Sequence, residues 1–109
     1  MKHAPPTRAR GLHIAQRMKK RLLSEGIPVV NVYLFGSLAR GTPRRWSDID
    51  IAVVHRQFLP DRFEERSRIR STREDFDVPM DIICLHPEDF ENRYWALPQE
   101  VKKHGIPVE

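Results

Sequence analysis

The chain has a single cysteine, Cys84, in 109 residues, so an intramolecular disulfide is excluded. A fold without that covalent staple suits a reducing compartment. No apolar stretch approaches the ~20 residues that a membrane-spanning helix requires. The opening Met1-Lys-His-Ala-Pro-Pro-Thr7 has none of the apolar character of a signal peptide. A cytoplasmic protein with no membrane role is expected. Internal repeats, low-complexity tracts and interdomain linkers are all missing. We therefore expect a flexible tail over residues 1–7 and one domain over 8–109. A chain of this size buries roughly two-thirds of its unfolded surface, enough for one core. Any second substrate must then bind at the surface or be brought by a partner.

Apolar residues make up 39% and charged residues 31%, an ordinary globular balance that argues against wholesale disorder. The net charge is +4, and the pI is about 9.6. A basic surface attracts nucleotides, nucleic acids or acidic proteins without choosing among them.

Periodicity predicts a helix over 8–25, with Leu12, Ala15, Met18 and Leu22 as its apolar stripe and Gly26 and Pro28 beyond its end. Residues 29–35, β-branched and aromatic, predict a buried strand, and a short helix follows from Ser37 to near Gly41. Thr42 to Arg45 read as a loop. A second strand is expected over 48–54 and a charged helix over 61–73, with Glu64 and Arg68 at the favourable i,i+4 spacing. Phe63 and Ile69 are the only strongly apolar residues in that helix, so its burial should be partial. Residues 80–85 predict a third strand, Pro87-Glu88-Asp89 a helical turn, 98–103 a last helix closed by Gly105, and 106–108 an edge strand.

Two features carry chemistry. Gly36 and Ser37 close the first strand, and after ten intervening residues come Asp48 and Asp50, separated by one residue. A glycine lets phosphate oxygens approach the backbone, the first N–H groups of a helix are open to anions, and a serine hydroxyl can donate to a phosphate. On a strand, residues i and i+2 point to one face. Two carboxylates so placed can share a pair of divalent cations ~3.5–4 Å apart. Mg²⁺ suits such a site, since it takes oxygen ligands and lets substrate phosphates complete its shell. Asp81 is the candidate third acid because it alone interrupts the run from Met80 to Leu85, where a lone buried carboxylate would be costly. There it would ligate metal and help deprotonate an attacking hydroxyl. Glu74, Asp75 and Asp77 are rival acids in a polar stretch where solvation is the plainer reading. For Ser37 the plain alternative is an N-cap. For the aspartates it is a turn cap and edge-strand acids in water.

The combination of Gly36-Ser37 with Asp48-Ile49-Asp50 resembles the nucleotidyltransferase superfamily that includes DNA polymerase β, and more closely the minimal nucleotidyltransferase (MNT) group. Ala39-Arg40-Gly41 and the closing helix and glycine also resemble the family, and the likeness spans roughly residues 10–108. The apolar-poor segment 61–73 departs from the family's more regular amphipathic helix. The resemblance implies an α/β (α+β) fold, a small mixed β-sheet with helices packed on it. It implies that Gly36 and Ser37 hold the triphosphate, and that Asp48, Asp50 and Asp81 form the Mg²⁺ site, with two ions. Many members pair with a HEPN-domain toxin, and some transfer AMP from ATP to a tyrosine of that toxin, an antitoxin role of type VII-like systems. A hetero-oligomer with such a toxin is implied. The alternatives are an antitoxin that neutralises by binding alone and transfer to a small molecule such as an aminoglycoside.

Arg40, Arg44 and Arg45 lie between the motif halves, and Arg40 is the best placed to neutralise phosphate charge. Trp46 could stack on a base or simply pack. Cys84 and His86 lack companions at zinc spacing, so Cys84 is read as a small core residue. The arginine-rich helices are read as solvated faces or a docking surface for an acidic partner, and direct nucleic-acid binding is not expected.

Overall fold

The computed structural model describes residues 7–41 and 48–109. Helix α1 (Arg8–Ser24) leads into strand β1 (Val29–Phe35), the short helix α2 (Gly36–Arg40) and strand β2 (Ile49–His55). Helix α3 (Arg62–Ser71) then crosses to strand β3 (Met80–Leu85), and helix α4 (Ala96–His104) precedes strand β4 (Ile106–Val108). Short 3-10 turns occupy Thr72–Asp75 and Pro87–Glu91. The sheet order is β3-β2-β1-β4. β2 and β3 are parallel, and β1 is antiparallel to both β2 and β4. This is the small mixed sheet with helices that the sequence predicts.

Alternation along β2 divides the structure. Ile49, Ile51 and Val53 join Ile14, Met18, Leu22 and Ile69 in the larger apolar cluster. Ala52 and Val54 face the other way and join Leu85 and Val101 in a smaller one. The side-chain period of two puts Asp50 on that second face.

The stripe of α1 is shifted from the expected one. Gly11, Ile14, Ala15, Met18 and Leu22 are buried, while Leu12 is only partly covered. A Cβ on Gly11 would come within 3.0 Å of a Leu34 methyl, so the helix lies close on β1 at this point. Thr7, which the sequence reading puts in the tail, is instead the cap of the first helix. Thr7 Oγ1 accepts from the Arg10 N–H at 3.1 Å and caps α1, while residues 1–6 lie outside the described structure.

Helix α3 shows the partial burial expected of it, with Phe63 68% exposed. Its anchors, however, are Ile69 and an acid, Glu65, four residues apart and both buried. Among the described residues Glu64 and Arg68 form no ion pair. Glu65 Oε2 accepts the N–H groups of Phe58 (2.6 Å) and Leu59 (3.2 Å). Its Oε1 lies 2.9 Å from His86 Nε2. Burial alone would raise the Glu65 pKa, but these hydrogen bonds outweigh it and hold the carboxyl below its ordinary value. Arg70 donates to the Ile82 carbonyl at 2.9 Å and ties the other end of α3 to β3.

Candidate active site

β1 ends in a turn that only glycine makes without strain. Gly36 has φ +73°, in the left-handed region. Phe35, just before it, pairs with Asp50 across the antiparallel ladder. A Cβ on Gly36 would therefore meet the Asp50 side chain, 3.0 Å from Cγ and 3.2 Å from Cβ and up against Oδ2. The turn and the carboxylate are in direct van der Waals apposition.

The other two acids arrive through β2 and the parallel ladder. Asp48 immediately precedes β2 and lies two residues before Asp50. Asp50 is paired in register with Asp81 of β3. Neighbouring strands are ~4.8 Å apart and paired residues share a face, so the two carboxylates stand side by side. Burial first, and then the charges of Asp81 and Asp48, push the Asp50 pKa from 3.8 up to about 6. None of the three acids forms an ion pair with another described residue. The arrangement concentrates negative charge beside the backbone turn at Gly36.

Asp81 was expected to be a buried carboxylate, yet it is exposed, as is Asp48; only Asp50 is half-buried. β3 is an edge strand, and Asp81 sits at its starting end, where the sheet face is open. The register, and not burial, places Asp81 with the other two acids. The rivals Glu74, Asp75 and Asp77 are exposed, and Asp75 forms an ion pair with Arg21.

Helix α2 begins at Gly36, one residue earlier than predicted, so Ser37 lies inside its first turn and the N-cap position falls to Phe35. Gly41 ends it with φ +77°. Arg8, which sequence reasoning missed, holds α2 in place. Its Nη2 donates to the Ala39 carbonyl at 2.8 Å and its Nε to the Leu38 carbonyl at 3.3 Å. Arg40 lies 3.6 Å from Glu100 and links α2 to α4. Arg44, Arg45 and Trp46 lie outside the described residues.

Cys84 is a packing residue, as the sequence reading has it, whereas His86 has neighbours that reading did not supply. Cys84 packs partly against the larger cluster, with burial pushing its thiol up to about 11. His86 is joined by His55 and Glu65, which sequence reasoning did not connect to it. The available signal was Ile69: with that residue buried, a helix places Glu65 on the same face one turn earlier.

The chain thus presents clustered carboxylates beside a glycine turn on a small mixed sheet. The chain belongs to the nucleotidyltransferase domain family, whose model matches residues 14–109. It is 28% identical over 91 residues to a probable protein adenylyltransferase MntA of Haemophilus influenzae, covering 77% of this chain and 78% of that protein. It is 34% identical over 88 residues to the protein adenylyltransferase MntA of Shewanella oneidensis, covering 78% of this chain and 58% of that longer protein. Among solved structures it resembles one described as the toxin-antitoxin with AMP-PNP, with a TM-score of 0.60 and 28% identity over 86% of this chain and 72% of the other.

Proposed function

We propose that this nucleotidyltransferase moves AMP from ATP to a tyrosine hydroxyl of a HEPN-domain toxin and thereby acts as its antitoxin. One observation carries the reading: Asp50 stands in register with Asp81, two residues from Asp48, against the backbone of Gly36. The relatives named as protein adenylyltransferases support the reaction class. The similar toxin-antitoxin structure with AMP-PNP supports the nucleotide and the kind of partner.

Mg²⁺ is the cation this chemistry implies, and the donor set fits it. All three side chains offer oxygen, and the burial and acidic neighbours that raise the Asp50 pKa are what a cation would offset. Asp48, Asp50 and Asp81 would hold one or two ions. A cation held there would neutralise phosphate charge and polarise the α-phosphoryl group. Gly36, without a side chain, lets the β- and γ-phosphates approach the backbone, and the Ser37 hydroxyl donates to a phosphate oxygen. Arg40 exchanges Glu100 for phosphate charge. The acceptor oxygen forms a bond to the α-phosphorus while the bond to the bridging oxygen of the β-phosphate breaks, releasing pyrophosphate. Asp81, open to solvent at the sheet edge, takes the hydroxyl proton.

The test combines the chain, its partner, ATP and Mg²⁺ and follows the partner's mass. The wild type should add one or more AMP units. Asp48→Asn with Asp50→Asn should slow transfer by about 10³-fold or more, as several kcal/mol of charge stabilisation is lost. Transfer at wild-type rate in the double variant would refute the site. A partner that is inhibited but never modified would refute transfer and point to neutralisation by binding alone.

A further inference from the structure

Away from the aspartates, three buried side chains from three elements converge. His55 ends β2, Glu65 lies on the first turn of α3, and His86 follows β3. All three are buried, and each places one potential ligand atom within 4.8 Å of the other two. The site lies at the opposite end of β2 from Asp50, ~17 Å away at the rise of a strand, and on the opposite face of the sheet.

We propose that His55, Glu65 and His86 form a second metal site, one that takes a zinc-class divalent cation and clasps α3 to β2 and β3. Two imidazoles and one carboxylate make a recurrent three-ligand zinc set, with a fourth position left for water. Mg²⁺, which prefers oxygen, would be a poor occupant.

Each of the three side chains is fixed by a further hydrogen-bond partner. His55 Nδ1 lies 2.9 Å from the Arg56 carbonyl, an acceptor, so Nδ1 carries the proton and Nε2 the lone pair. Metal-bound histidines are commonly oriented by such a bond from the other ring nitrogen. Burial pushes the His55 pKa down and favours the neutral form. Glu65 has Oε2 fixed by two backbone N–H groups, leaving Oε1 turned to the cluster. His86 has Nε2 on Glu65 and Nδ1 3.3 Å from Glu88 Oε1, so Nδ1–H can donate to Glu88 when Nε2 binds metal. The two imidazoles meet edge to face, with centroids 4.9 Å apart.

These residues line a cleft of about 10 Å³, room for one water or ion and far too small for a nucleotide. Cys84, Arg62 and Arg66 also line it. The arginines oppose a cation, but Asp89 engages Arg62 through both oxygens at 2.8 and 2.9 Å. Glu65, Glu88 and Asp89 set three carboxylates against the two guanidinium groups.

The experiment titrates the full chain with Co²⁺, a spectroscopic stand-in for zinc, in excess Mg²⁺. We expect the intense visible bands of four-coordinate cobalt, saturating at one equivalent and displaced by Zn²⁺. Asp48→Asn with Asp50→Asn should leave this signal intact, whereas His55→Gln and His86→Gln should each weaken binding by at least ~10-fold. Weak octahedral bands, no saturation, loss of the signal in the aspartate variant, or unchanged affinity in a folded histidine variant would each overturn the proposal. Should both histidine variants fail to fold, the wild-type spectrum and its survival in the aspartate variant still decide it.

Discussion

Asp50→Asn should make the protein more stable while removing a carboxylate from the candidate active site. The Asp50 pKa is about 6 in the fold against an ordinary 3.8, raised by burial and by its two acidic neighbours. A shift of roughly two units corresponds to about 3 kcal/mol. The side chain is only half-buried, so solvent screening reduces this to about 1–1.5 kcal/mol. The sign follows from proton linkage. The folded state holds the Asp50 proton more tightly than the unfolded chain does. Below about pH 4 both states are protonated and the group costs nothing; stability is lost as pH rises through about 6, and the full cost applies near neutrality. Asparagine keeps the shape and removes the charge. Calorimetry near pH 7 should show the variant melting about 4–6 °C higher, the gain vanishing near pH 4. Mg²⁺ should raise the wild-type melting temperature and narrow the gap, through preferential binding to the folded state. A variant less stable than wild type at neutral pH, or one equally stabilised at both pH values, would refute the electrostatic account.

Gly36→Ala should cost about 1–2 kcal/mol for the left-handed backbone alone and more for the contact with Asp50; urea unfolding measures the loss, and AMP transfer should fall with it. Met18→Ala, fully buried on α1 and remote from the acids, should cost about 3 kcal/mol in the same assay and leave transfer per folded molecule unchanged. Glu65→Ala removes the acceptor of the Phe58 and Leu59 N–H groups and the partner of His86, and should cost about 2–3 kcal/mol by denaturant titration.

The strands were the most legible elements. Val29–Phe35 and Met80–Leu85 are runs of β-branched and apolar residues bounded by breaks, and the structure keeps both boundaries. Local pattern also marked the Gly36-Ser37 turn and the acids. The one-to-one pairing of Asp50 with Asp81 was not legible, because the two strands are joined by a long crossover and not by a tight turn that would fix their register. The exposure of Asp81 was misjudged for a related reason: an apolar run does not reveal which strand lies at the sheet edge. On α1, periodicity found the face but misplaced Leu12, since it cannot foresee that Gly11 allows a close approach to Leu34. His55, Glu65 and His86 belong to three elements, with His86 and Glu65 21 residues apart in sequence. No spacing rule joins them, although a buried acid on an apolar-poor helix was a usable hint.

The two hydrogen bonds from Arg8 bear on how the protein can be handled. They fasten the first residue of α1 to the far end of the helix that begins at Gly36. A purification handle or reporter fused just ahead of Thr7 would disturb both the α1 cap and this fastening, and its effect would be felt at the glycine turn. A fusion after Val108 would instead extend β4, beside Lys19 Nζ, which donates to the Val108 carbonyl at 3.3 Å. For activity measurements, the end of β4 is the better place to attach a label.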